Sequence, residues 1–186
     1  VGYFSRHLLP LYFTFAKDVE TYSGYFTSFL ISIEDKWFLI TTGHCMEEID
    51  AYLKGEYKIV RSRLIDSGGL DVKHKNPIPF DYLSVPKTYI DIEGLDFGVI
   101  YLNDYYKAQL KANNVKTLNE EVWDKQPDNP DFYMLLGVPN QLTEIKDDNF
   151  IIRTTLHNIK PLDQKPINFK DSKVCNVSDK SNLKRC

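Results

Sequence analysis

Hydrophobic and polar positions along this chain follow the short period of strands more than the 3.6-residue period of helices. Leu8-Leu9-Pro10-Leu11-Tyr12-Phe13-Thr14-Phe15-Ala16 reads as a first strand, rich in aromatic side chains. It follows Arg6-His7, so it also has the faint outline of a short signal peptide. Phe26 to Ile33 and Trp37 to Thr42 read as the two strands of a hairpin, joined by the polar turn Glu34-Asp35-Lys36. Met46 to Lys54 has room for one or two helical turns, and Tyr57 to Ile65 alternates in part, as a half-buried strand does. Asp66-Ser67-Gly68-Gly69 is a turn signal. Tyr82 to Val85 and Phe97 to Leu102 read as further strands, in a region punctuated by Pro77, Pro79 and Pro86.

The pattern changes at Asp104, which reads as the N-cap of a helix reaching Asn113. Asn119 to Pro130 is a polar linker, and strands are expected again over Phe132 to Gly137 and Asn149 to Leu156. After Pro161 the hydrophobic pattern fades, and the lysine-rich stretch Asp171 to Cys186 is expected to be poorly ordered.

A length of 186 residues fits one domain or two small barrels, and a hydrophobic content of 42% is enough for a core. The net charge of −3 has no basic concentration in it, so no nucleic-acid partner is expected. No apolar run approaches the ~20 residues of a membrane-spanning helix, and no membrane partner is expected. The three cysteines, Cys45, Cys175 and Cys186, have no repeated spacing and no CxxC pair. They point away from a disulfide framework or a zinc site and towards a reducing, cytoplasmic setting, with secretion as the alternative.

Chemistry concentrates around His44, directly after the second hairpin strand. Hydrolysis of a peptide by a nucleophile needs a hydroxyl or thiol, a histidine to take its proton, and a carboxylate to orient the histidine. The segment Phe26-Thr27-Ser28-Phe29-Leu30-Ile31, a short turn, and Trp37-Phe38-Leu39-Ile40-Thr41-Thr42-Gly43-His44-Cys45 resembles the trypsin-like peptidase family. That family has glycines where this chain has Phe26 and Ser28, and usually alanine where this chain has Thr42. Its second mark is an acid ahead of an apolar strand. Here that is Leu95-Asp96-Phe97-Gly98-Val99-Ile100-Tyr101-Leu102, with Asp96 52 positions after His44 and Gly98 in place of the usual alanine. Leu136-Gly137-Val138-Pro139 is a weaker echo of a Gly-aromatic-Pro step.

The resemblance implies a mostly all-β chain folded as a trypsin-like double β-barrel. The first barrel would occupy residues 1–103, a helix and linker 104–130, a partial second barrel 131–170, and a polar tail 171–186. It also implies His44 as general base and acid, Asp96 as its orienting carboxylate, a peptide or protein as ligand, and no cofactor. The family's nucleophile motif, G-x-S-G-G, does not follow Asp96. The later serines, Ser172, Ser178 and Ser181, lack flanking glycines, as does Cys175. Ser67 has glycines but precedes Asp96, whereas the family order is His, Asp, Ser. The roughly 56 residues after position 130 are fewer than the ~70–90 that six strands and their loops need, so a chain truncated before its serine is expected. The open sheet edges of a part-built barrel invite self-association. Cys45 faces no cysteine on the opposing hairpin strand and is expected as a small buried apolar residue.

Two other readings stand beside the endopeptidase. One is an inactive barrel acting as a binding or regulatory module. The other is an unrelated β-rich interaction domain, which would hold His44 and Asp96 apart.

Overall fold

The computed structural model describes residues 4–65, 77–92, 95–122, 125, 133–137, 144–146, 149–151 and 155–160, and these are mostly β. Strands β1 (Leu11–Lys17), β2 (Glu20–Phe26), β5 (Lys58–Leu64) and β6 (Ile78–Pro79) make one antiparallel sheet in the order β2-β1-β5-β6. Strands β3 (Phe29–Ile33), β4 (Lys36–Thr41), β7 (Lys87–Ile92) and β8 (Leu95–Leu102) make a second, in the order β3-β4-β8-β7. Helix α1 (Gly43–Lys54) follows β4, and α2 (Asp104–Ala112) follows β8. Beyond them lie two two-stranded sheets, β9 (Tyr133–Gly137) with β12 (Thr155–Ile159) and β10 (Glu144–Lys146) with β11 (Asn149–Ile151). Among the described residues the strands do not close into a barrel.

The two large sheets share one core. Leu11, Phe13, Phe15 and Leu64 from the first meet Leu30, Leu39, Ile100 and Leu102 from the second, all essentially without solvent exposure. The strand period places them there. Trp37, Leu39 and Thr41 alternate inward on β4, and the antiparallel register sets them opposite Leu102, Ile100 and Gly98 on β8. Each large aliphatic side chain so buried contributes on the order of 2 kcal/mol. Cys45 lies in the same core as a buried thiol, in line with its expected apolar role.

Several expected elements shift, for identifiable reasons. The strand expected from Phe26 to Ile33 breaks at Thr27-Ser28, where the chain passes from one sheet to the other. The polar groups of that step bond outside either ladder: Leu9 N–H donates to Ser28 O at 2.8 Å, Ser28 Oγ donates to the Leu9 carbonyl, and Thr41 Oγ1 donates to Thr27 O at 2.9 Å. The turn between β3 and β4 holds two residues, not three, because Lys36 pairs with Ile33. Glu34 and Asp35 both take positive φ, as a tight hairpin turn requires, and neither is glycine. Bonds from elsewhere offset the strain. Lys107 Nζ donates to Asp35 O and Oδ2 at 2.8 and 2.6 Å, and Glu34 N–H donates to Glu120 Oε1 at 2.8 Å.

Tyr82 to Val85 is a turn and not a strand. Asp81 nucleates it by accepting from Ser84 N–H through its carboxylate, and Lys87 Nζ donates to the Tyr82 carbonyl at 2.7 Å. Strands β2, β6, β7 and β10 were not expected from the sequence; β2 and β7 have mostly exposed side chains and so carry little hydrophobic signal. Helix α1 runs 12 residues, longer than the one or two turns expected, because it starts at Gly43. The single strand expected from Asn149 to Leu156 is instead the end of one hairpin and the start of another strand. Asp66 to Gly69, Val138, Pro139 and the tail from Asp171 lie outside the described residues.

Candidate functional site

The site forms where the second sheet runs out. Thr41 is the last residue of β4 and pairs with Gly98 on β8. Asp96 is two residues before Gly98, so it lies on the same face of β8 but beyond the end of β4. At that point the chain of β4 has already turned into α1. A face that is apolar along its length therefore presents a carboxylate at its end, next to the start of a helix.

The approach is close enough to exclude a side chain on Gly43. A Cβ built there would fall on the Ile90 carbonyl of β7 and 3.0 Å from Asp96 Oδ1. Glycine is needed here for proximity. A second fit supports the first. Met46, on the first turn of α1 and fully buried, fills the space over Gly98, where an added Cβ would strike its sulfur.

With the helix this close, the Asp96 carboxylate bridges two donors of one residue. Oδ1 accepts from the His44 backbone N–H at 2.9 Å, and Oδ2 lies 2.5 Å from His44 Nδ1. A carboxylate can only accept, so Nδ1 carries the proton, and a neutral ring then presents its lone pair at Nε2. Partial burial, the largest single influence, pushes the Asp96 pKa upward. The bonds from the His44 amide and ring, with the Gly43 amide, outweigh it and hold Asp96 below its ordinary value of 3.8. The positive end of α1 acts in the same direction. Both side chains are about one-third exposed, at 33% for His44 and 36% for Asp96, so the pair opens to solvent.

Thr42 supplies a feature that the sequence reading noted only as a departure. It occupies the cap position of α1 with extended backbone, yet its side chain caps no amide. Its hydroxyl instead lies 3.4 Å from His44 Nε2, a long contact. The substitution of threonine for the usual alanine was the available signal. Gly43 was legible as part of the motif, but the reason for it depends on β7, which was not.

The structure thus brings His44 and Asp96 together. Ser67, Ser172, Ser178, Ser181 and Cys175 lie outside the described residues. Among the described residues no group of three or more His, Cys, Asp or Glu side chains comes together as a metal cage, and no helix is long and apolar enough to cross a membrane. Comparison with protein-family models, with curated proteins and with solved structures gives no match to the chain.

Proposed function

We propose that this chain carries the proton-handling half of a serine endopeptidase site, built on a trypsin-like double-barrel plan. The observation that carries the reading is the 2.5 Å contact between His44 Nδ1 and Asp96 Oδ2, made by a carboxylate also anchored on the His44 amide. In that arrangement Nε2 takes a proton from an attacking hydroxyl and returns it to the leaving amine. Asp96 fixes the tautomer and stabilises the imidazolium that forms in between. The substrate is a peptide or protein and no cofactor takes part.

A second reading has its own support, since Phe26 and Ser28 stand where the resembled family has glycines. On that reading the pair is retained in an inactive barrel that binds and does not cut. A fluorophosphonate probe separates the two. Applied to the natural product that contains this sequence, it labels a single serine, and His44→Ala abolishes the labelling. Asp96→Asn lowers the rate of peptide hydrolysis about 10⁴-fold, the loss expected when the histidine tautomer is no longer held. A product that takes no label, or takes label independently of His44, ends the endopeptidase reading.

A further inference from the structure

Cavities away from the pair at His44 have no part in it, and one of them has an aromatic lining. It lies between β2 and α1 and has a volume of about 240 Å³. Its origin is local. Tyr22, Gly24 and Phe26 alternate on one face of β2, opposite Phe15, Phe13 and Leu11 of β1. Gly24 leaves a notch between two aromatic neighbours. A Cβ there would meet only the Phe26 ring, at 3.7 Å, which is ordinary contact. Helix α1 closes the other side with Glu48 and Tyr52. These residues are four and eight positions after His44, so all three lie along one stripe of the helix.

Five aromatic side chains, Phe15, Tyr22, Tyr25, Phe26 and Tyr52, line it together with Ser23, Gly24 and one carboxylate, Glu48. The Phe15 and Tyr52 rings stack with centroids 4.6 Å apart, and Tyr22 stands 5.8 Å from Tyr52. A plain apolar pocket would have aliphatic walls and no charge. Ring faces carry negative quadrupole density and attract weakly hydrated organic cations, and a carboxylate at the rim adds to the attraction. At the edge of the same cluster Lys17 Nζ lies 5.7 Å from the Tyr57 ring centroid while donating to the Gly55 carbonyl at 2.9 Å and pairing with Glu56, and Tyr57 packs on both Tyr22 and Tyr52.

We propose that the cavity walled by Phe15, Tyr22, Phe26 and Tyr52, with Glu48 at its rim and the Gly24 notch as its depth, is a binding site for an alkylammonium group. The ligand is a free alkylated amine or the end of a lysyl side chain. The Tyr52 phenol is held above its ordinary pKa, first by burial and then by the Glu48 charge and Tyr22, so its ring remains neutral at physiological pH. The site does not depend on hydrolysis at His44.

The test is titration of the whole chain with tetramethylammonium, followed by the proton NMR shift of its methyl groups. Saturable binding with an upfield, ring-current shift is expected. The uncharged isostere 3,3-dimethylbutanol binds about tenfold more weakly. Gly24→Val, a substitution that strands favour, fills the notch and removes binding. Glu48→Gln, at an exposed position, weakens it about threefold to tenfold. Equal affinity for the uncharged isostere, binding that survives Gly24→Val, or no saturable shift overturns the proposal. The two sources are told apart by n-butylammonium against a short peptide with a central lysine. A tighter peptide assigns the site to a lysyl side chain, and a tighter free amine assigns it to a small ligand. A peptide with norleucine in place of lysine must lose binding in either case. Fluorophosphonate labelling is scored separately, so failure at this cavity and failure at His44 are distinguishable.

Discussion

Helix α2 is capped by its own neighbour, whereas α1 is capped from 52 residues away. At α2 the Asn103 side chain accepts from the Tyr106 amide at 3.3 Å, the ordinary local arrangement. At α1 the residue in the cap position, Thr42, makes no such bond, and the Asp96 carboxylate takes the His44 amide in its place. A local cap can only terminate a helix. A remote one also ties the helix to a strand, and its second oxygen is left to hold a ring. The candidate site is the difference between these two ways of starting a helix.

That difference can be broken most forcefully at Gly43. Gly43→Ala drives a methyl group into the Ile90 carbonyl, and backbone cannot move aside as a flexible side chain can. A loss of at least about 3 kcal/mol is expected in urea unfolding, in the range reserved for steric conflict in packed structure. A variant within about 0.5 kcal/mol of the parent would show that α1 does not approach β7 and β8 so closely.

The next largest effect compares the caps directly. Asp96→Ala removes two bonds to a charged acceptor and should cost about 2 kcal/mol, against about 1 kcal/mol for Asn103→Ala. Equal costs would mean that the remote carboxylate does no more for the fold than a local amide.

The smallest effect is in pH. Asp96 titrates lower in the folded chain than its ordinary 3.8, so the unfolded chain binds more protons in the interval between the two values. The stability Asp96 adds is therefore fully present above pH 3.8 and is lost as the pH falls through the lower folded value. The gap in unfolding free energy between the parent and Asp96→Asn should shrink as the pH falls below 3.8. A gap unchanged down to full protonation would remove the ionic part of the cap.

How much of this was legible in the sequence depends on whether the information was local. The strand of Leu11 to Lys17, the hairpin around Glu34 and Asp35, and the helix after Asn103 follow from side-chain pattern and turn chemistry within a few residues. The placing of the helix start did not. The sequence assigned the cap of α2 to Asp104, one residue late, because Asn and Asp serve equally and only the backbone angles decide between them. Strand β7 escaped because its exposed face has little apolar periodicity, and with it went the physical reason for Gly43. His44 and Asp96 were found through resemblance to a family pattern. Their meeting depends on the β4–β8 register, which no short stretch of sequence encodes. The cavity at Gly24 was missed because β2, exposed from Glu20 to Ser23, was not read as a strand, and because a glycine in a strand becomes a notch only when a helix covers it.

The double duty of Asp96 bears on how such a chain changes over generations. Selection ordinarily keeps a catalytic acid for its chemistry, and once the reaction is lost the acid is free to drift. Asp96 fastens a helix to a sheet whether or not it serves a reaction. A descendant that cuts nothing would still be penalised for losing it, and penalised again for losing the glycine that lets it reach. Asp96 and Gly43, both part of the enzyme-like pattern, are thus residues that inheritance would preserve without any reaction, and their survival in related chains would record the upkeep of a joint as readily as the upkeep of a reaction.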